Sequence, residues 1–381
     1  MASVSENRLF KAVLQRVKAV PSWFWQVIGL FLATRLALTI IGVVARPMIN
    51  ITEHAFKFTG ISWLDIWGVW DSKWYMRIAA DGYSTKIYEF NYANYGFFPL
   101  YPLLMRYLGA VIGSDYIAGL LISNIALLVA CVYLYKLVRL DDDSSTALRS
   151  VKYLLFFPAA FILSGVFSEG LFLALLVVCF YYARKQNWLV VGILGFFLSL
   201  TRYIGVIAIL PFLYEYLASK NFKFRQVKPN ALFLLLVPAG FLAYMAFVYY
   251  LTGDALGYFH IQNAGWGFSL SNPLPLLFGA SKNHPEMIAK SFVFVGLALL
   301  LLFRKRIRFS YWLLAMYSIL IPPFSSAIAG TLRFMVPIFP LYILLAKLGE
   351  NRYFDLFAAA FLLLLQGFLM VFWTVGAGMI I

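Results

Sequence analysis

The chain reads as an all-α polytopic membrane protein, and three observations predict that class. Its residues are 63% hydrophobic, with a mean hydropathy of +0.83, beyond what a soluble domain carries. The apolar residues gather in long runs, several of them bilayer-length. The cations cluster between those runs, as in Lys220, Lys223, Arg225, Lys228 and in Arg304, Lys305, Arg306, Arg308. This distribution argues against a nucleic-acid reading of the +15 net charge: such clusters orient membrane spans and attract anionic headgroups. Cys131 and Cys179 both fall within apolar runs, with no metal-ligand spacing between them.

Residues 1–22 form a basic, amphipathic stretch with no small-residue cleavage site after it, expected to be a retained cytoplasmic segment. Residues 23–381 are then one integral-membrane domain. Trp23 to Ala45 is the first span, and 46–98 the first extracytoplasmic loop, large enough for interfacial helices. Phe98 to Gly113 is short and interrupted by Pro99 and Pro102, which suits a re-entrant or interfacial helix. Asp115 to Val138 returns inward. Asp141, Asp142 and Asp143 read as a solvated turn and helix cap, with catalysis the alternative. Two tight excursions follow. Tyr153 to Phe167 and Leu171 to Ala183 flank Glu169; Trp188 to Leu200 and Tyr203 to Leu217 flank Thr201 and Arg202. Such short legs end inside a recess, and each recess holds a charge. Ala231 to Leu251 leads to a second extracytoplasmic loop, 252–286. Met287 to Phe303, Phe309 to Pro322, Phe334 to Ala346 and Phe354 to Gly376 complete about eleven segments, to within about two.

Charge stands out in Trp70 to Pro102, WDSKWYMRIAADGYSTKIYEFNYANYGFFPLYP, where six charged residues lie among aromatics. Asp71 has Trp67 and Trp70 before it and Trp74 and Tyr75 after it. An aromatic, partly desolvated setting makes a carboxylate more basic, as a general base requires; the alternative is an N-cap for a helix from Ser72 to Ala80. Asp81 before Gly82 reads as a helix-end turn. Glu169 interrupts an apolar hairpin, and an intramembrane carboxylate is a functional candidate unless a partner such as Arg202 accounts for it. Arg202 and Arg333 lie at outer turns, where a guanidinium grips phosphate through two parallel bonds or forms an ordinary salt bridge. His260 and Gln262 lie in the second outer loop. There is no Gly-rich phosphate loop, no H-E-x-x-H and no G-x-S-x-G. A lipid-linked-sugar flippase is the rival class, but no internal repeat supports a transporter.

Six motifs occur in order: W-D-S-K-W-Y-M-R-I-A-A-D-G-Y from Trp70, F-F-P-L-Y-P from Phe97, F-S-E-G-L-F from Phe167, T-R-Y-I-G from Thr201, H-I-Q-N-A-G-W from His260 and L-R-F-M-V-P-I-F-P-L from Leu332. Together they resemble the PIG-V-like mannosyltransferases, over about Trp63 to Leu341. The resemblance implies a GT-C glycosyltransferase fold, a polyprenyl- or dolichyl-phosphate mannose donor, a glycolipid or glycan acceptor, and an inverting, metal-independent reaction without cofactor. It carries the family's carboxylates to Asp71 and Glu169, expected to be catalytic, and its outer-turn arginines to Arg202 and Arg333. These two, with Arg77 added on the mechanistic ground that a departing phosphate needs cations, are expected to bind the donor phosphate. The expected substrate-binding set is Trp70, Lys73, Trp74, Tyr83, Tyr101, Tyr203, His260 and Gln262. The expected location is a prokaryotic plasma membrane with the site extracytoplasmic, or the lumenal face of the endoplasmic reticulum in a eukaryote.

Overall fold

The computed structural model describes residues 20–325, 328 and 330–379. The expected amphipathic N-terminal segment therefore lies outside the described residues, apart from its last three positions. Among the described residues there is no β-strand, and an isolated antiparallel bridge pairs Ala55 with Val69. In chain order the main helices are α1 (Ser22–Ala45), α2 (Ser72–Asp81), α3 (Leu100–Ile112), α4 (Asp115–Val138), α5 (Ser144–Phe156), α6 (Glu169–Arg184) and α7 (Trp188–Ser199). They continue with α8 (Ile209–Ala218), α9 (Leu236–Thr252), α10 (Gly257–Trp266), α11 (His284–Leu302), α12 (Phe309–Phe324), α13 (Phe339–Leu348) and α14 (Arg352–Thr374).

Five helices are long and apolar enough to cross a bilayer: α1, α4, Pro229–Thr252 (α9 with the 3₁₀ turns before it), α11 and α14. A 24-residue helix such as α4 rises about 36 Å, more than the hydrocarbon thickness. The chain is a multi-pass integral membrane protein. Shorter apolar helices, such as α3, α7 and α13, cannot each cross alone. α6 lies inside the bundle, packed on α4 and α7, while α5 packs on α13 and α14 on α1. Where α7 meets α9, a Cβ on Gly240 would stand 2.2 Å from the Phe196 carbonyl oxygen, so only glycine lets these helices approach so closely.

The expected outward leg from Tyr153 to Phe167 is not one helix. α5 starts earlier, at Ser144, where the Asp143 side chain accepts from Thr146 N at 2.8 Å, and it ends at Phe156. Pro158 has no N–H to continue the ladder, and the chain turns into a 3₁₀ segment, Ala160–Ser164. Neighbouring helices supply the missing donors. Gln366 Nε2 of α14 reaches the Leu155 and Phe157 carbonyls at 2.9 and 2.8 Å. Arg35 of α1 donates to Ala160 O at 3.2 Å and Ser164 Oγ at 3.0 Å. A break at membrane depth persists only when its backbone groups are satisfied in this way. The leg from Tyr203 to Leu217 is likewise divided, with a 3₁₀ segment, Tyr203–Ala208, leading into α8.

The two large loops close over one end of the bundle. In the first, Asp65 accepts from the backbone N–H groups of Phe58, Thr59 and Gly60 at 3.1, 2.9 and 2.9 Å. In the second, α10 packs on the first loop: Trp266 contacts Tyr92 and Phe97, and Gln262 Nε2 donates to Gly96 O at 2.7 Å. At the other end, ion pairs tie helix termini together: Arg184 with Asp141, Lys347 with Asp142, and Lys152 with Asp355. The triple-aspartate turn is thus partly the expected cap, through Asp143, and partly a pair of structural anchors.

Candidate active site

A chain of four charges lies beneath the two loops. Arg333 Nη1 contacts Asp71 Oδ2 at 2.6 Å. The same guanidinium, through Nε, donates to Glu169 Oε1. Arg202 Nη1 reaches Glu169 Oε1 at 2.5 Å. The series Asp71, Arg333, Glu169, Arg202 has no net charge, which is how such groups are accommodated away from water. Glu169 is fully buried at the first residue of α6. Gly170 follows it, and a Cβ there would lie 2.8 Å from Leu163 O and 3.0 Å from Ser123 O, so glycine lets the start of α6 sit tightly against α4.

Aromatic faces hold the guanidiniums from the side. Arg333 lies over Phe167 at 4.9 Å and Arg202 over Phe334 at 5.4 Å, a contact that strengthens when desolvated. Asp71 sits at the N-cap position of α2, but its side chain makes no capping hydrogen bond. The carboxylate turns to Arg333 instead. The expected aromatic, partly desolvated setting also holds a cation: the indole of Trp70 stacks on His54 at 3.8 Å, Tyr75, Phe97 and Trp266 line the cleft with Asp71, and the nearest charge to its carboxylate is Arg333.

Asp71, Arg202 and Arg333 open onto a cleft with a cavity volume of ≈ 90 Å³, with Tyr75, Ser168, Tyr203, Gln262, Trp266 and Phe334 also on its walls. Glu169 lies behind the two arginines. A larger and mostly apolar groove of ≈ 520 Å³ adjoins the cleft, sharing Tyr203, Tyr258, Gln262 and Phe268 with it and continuing along Phe259, Leu270, Ile321 and Phe324. His260 lines this groove while pairing through Nδ1 with Asp254 Oδ2 at 2.6 Å. The hydrogen bond from His260, with another from Leu256 N, holds the Asp254 carboxyl below the usual carboxylate range.

Of the expected residues, the structure brings Asp71, Glu169, Arg202, Arg333, Tyr203, Gln262 and His260 to the cleft or its groove. The others lie elsewhere. The Arg77 guanidinium lies over Trp74 and Tyr88 at 5.4 and 4.6 Å, outside the cleft. Lys73 is exposed beside Phe56. Trp74 backs Phe97 and Trp266. Tyr83 donates to Phe97 O at 2.8 Å, and Tyr101 is fully buried, donating to Gly119 O at 3.0 Å. Trp70, Lys73, Trp74, Tyr83 and Tyr101 therefore shape or flank the loop without lining the cleft. A helical face is about a third of a helix, so neighbours of Asp71 along α2 point away from it. Ser168, Trp266 and Phe334 were missed although each lies within a quoted motif, and Tyr75 follows one turn after Asp71. Among the described residues, no group of three or more His, Cys, Asp or Glu side chains is gathered as metal ligands would be.

No family model matches the chain, and no curated protein sequence matches it. Solved structures do. The chain is similar to ArnT from Cupriavidus metallidurans, seen bound to undecaprenyl phosphate, with a TM-score of 0.55, 14% identity, and coverage of 87% of this chain and 61% of that one. It is also similar to the Archaeoglobus fulgidus oligosaccharyltransferase tethered with an acceptor peptide, with a TM-score of 0.51, 14% identity, and coverage of 94% of this chain and 56% of that one. The fold is GT-C. This chain spans less than two thirds of the length of either GT-C protein.

Proposed function

We propose that this chain is an inverting GT-C glycosyltransferase that moves mannose, or a related hexose, from a polyprenyl-phosphate donor to a glycolipid or glycan hydroxyl on the extracytoplasmic side, as a PIG-V-like enzyme would. The observation that carries the reading is Arg333 bound at once to Asp71 and Glu169 in a cleft that opens into an apolar groove. Arg202 and Arg333 would hold the donor phosphate, with Glu169 fixing both guanidiniums from behind. The groove would take the first isoprene units, and Gln262, Tyr203 and Trp266 would border the sugar.

In the transfer, the acceptor oxygen forms a bond to the anomeric carbon on the face opposite the phosphate. The bond from that carbon to the phosphate oxygen breaks, and its electron pair leaves with the phosphate. Asp71 takes the hydroxyl proton. The arginines stabilise the charge growing on the departing phosphate. Donor phosphate competes with Asp71 for Arg333, so donor binding would loosen the ion pair and turn the carboxylate toward the acceptor.

The test is incubation of purified protein in liposomes with radiolabelled polyprenyl-phosphate mannose and candidate acceptors, with and without chelator. Chelator-resistant transfer is expected, and Asp71→Asn should retain donor binding while transfer falls by at least about 10³-fold. Full activity in Asp71→Asn would remove it as the base. Movement of labelled lipid across the bilayer with no new glycosidic bond would favour the flippase.

A further inference from the structure

A second polar pocket lies at the end of the molecule remote from the cleft. It has a cavity volume of ≈ 280 Å³ and is lined by Asp141, Asp142, Lys305, Arg306, Arg308 and Lys347, with Tyr311 behind them. The span of α6 sets the separation: Glu169 begins it and Arg184 ends it, and that length of helix rises about 24 Å. Arg184 grips Asp141 through two N–H groups, at 2.5 and 2.7 Å.

The charges in this pocket do not cancel. Arg184 neutralises Asp141, and Lys347 neutralises Asp142 at 2.7 Å. Arg308 is engaged by Glu215, at 3.0 and 3.1 Å. Among the described residues Lys305 and Arg306 form no ion pair, and both are exposed. Two uncompensated cations side by side in a recess repel one another and raise the local concentration of anions. The chain just before these two cations is apolar: Leu301 and Leu302, at the end of the span α11, are 63% and 77% exposed. Arg306 lies over the ring of Phe303 at 5.6 Å. Cationic heads beside an exposed apolar helix end match the two halves of a phospholipid.

We infer that this pocket binds the phosphate groups of an anionic phospholipid, its two uncompensated cations suited to a headgroup with two phosphodiesters, while acyl chains lie along Leu301 and Leu302. A soluble phosphate offers the same oxygens but gains nothing from the leucines. The inference is independent of the glycosyl-transfer reading.

The experiment is native mass spectrometry together with thermal unfolding of the full chain in detergent, supplied separately with cardiolipin, phosphatidylglycerol, phosphatidylcholine and inorganic pyrophosphate. Cardiolipin should be retained and should raise Tm more than phosphatidylcholine does. The double variant Lys305→Gln, Arg306→Gln alters two exposed side chains, so its Tm without added lipid should match the wild type, and its cardiolipin affinity should fall about thirtyfold. Lys185→Gln, an exposed cation at the same end but outside the pocket, should leave that affinity unchanged. An undiminished preference for cardiolipin in the double variant would overturn the inference, as would an equal loss in Lys185→Gln. Protection by pyrophosphate equal to that by cardiolipin would make the site one for a free anion and overturn its assignment to lipid.

Discussion

At the scale of single residues, the decisive feature is that one guanidinium serves two carboxylates. Arg333 has the planar fork this requires, and a lysine ammonium in its place offers one point charge that cannot align with both partners. Arg333→Lys should therefore keep the protein folded yet lower transfer by at least about tenfold, with the loss mainly in donor KM if phosphate is what the fork grips. Glu169→Gln removes a fully buried anion from between two cations that are themselves only 11% exposed. Breaking such a pair from one side costs about 3–5 kcal/mol, so that variant should show a clearly lowered Tm in detergent, whereas Asp71→Asn, at the partly exposed end of the chain of charges, should not. Equal Tm values for the two variants would contradict the burial assigned to Glu169.

Single elements show why broken helices persist inside this bundle. α5 stops at Phe156 because Pro158 cannot carry the ladder onward, and Gln366 makes the stop affordable at depth by donating to two stranded carbonyls. Gln366→Met, unbranched and of similar length, leaves both carbonyls without that donor, and should destabilise the protein by about 1–3 kcal/mol as read by thermal unfolding. The start of α6 is equally constrained. Gly170→Val places a branched side chain against Leu163 O and Ser123 O, so it should displace Glu169 and reduce transfer as well as stability, by about 1–3 kcal/mol. Neither constraint was legible in the sequence, because the partners are far apart along the chain: Gln366 and Phe157 are 209 positions apart. What could be read was that the hairpin about Glu169 was too short and too apolar to leave a carboxylate without company.

Taken as a whole molecule, the bundle carries a loop-covered cleft at one end and a cluster of ion pairs at the other. Loops 46–98 and 252–286 meet over the cleft through α10, while the ion pairs of Asp141, Asp142, Glu215 and Asp355 gather at the other end. The expected orientation makes a direct prediction. Thr85→Cys and Ser281→Cys should react with a membrane-impermeant maleimide added outside intact cells, and Lys223→Cys only after permeabilisation. Cys131 and Cys179 are buried and should stay silent. Labelling of Thr85→Cys and Lys223→Cys from the same side would contradict the separation of the ends.

The sequence by itself determined the class of the protein and where its long spans run, since bilayer-length apolar runs leave a helix few alternatives: Asp115 to Val138 was readable to the residue. It also singled out Asp71, Glu169, Arg202 and Arg333, because charge amid apolar residues needs compensation. Only the tertiary structure decided which of them meet, that Asp71 faces a guanidinium instead of capping α2, and that Arg77, Lys73 and Tyr101 face elsewhere. The physical reason is that burial cost is a local property, visible in composition, whereas the direction of a side chain and the identity of its partner depend on how distant helices pack.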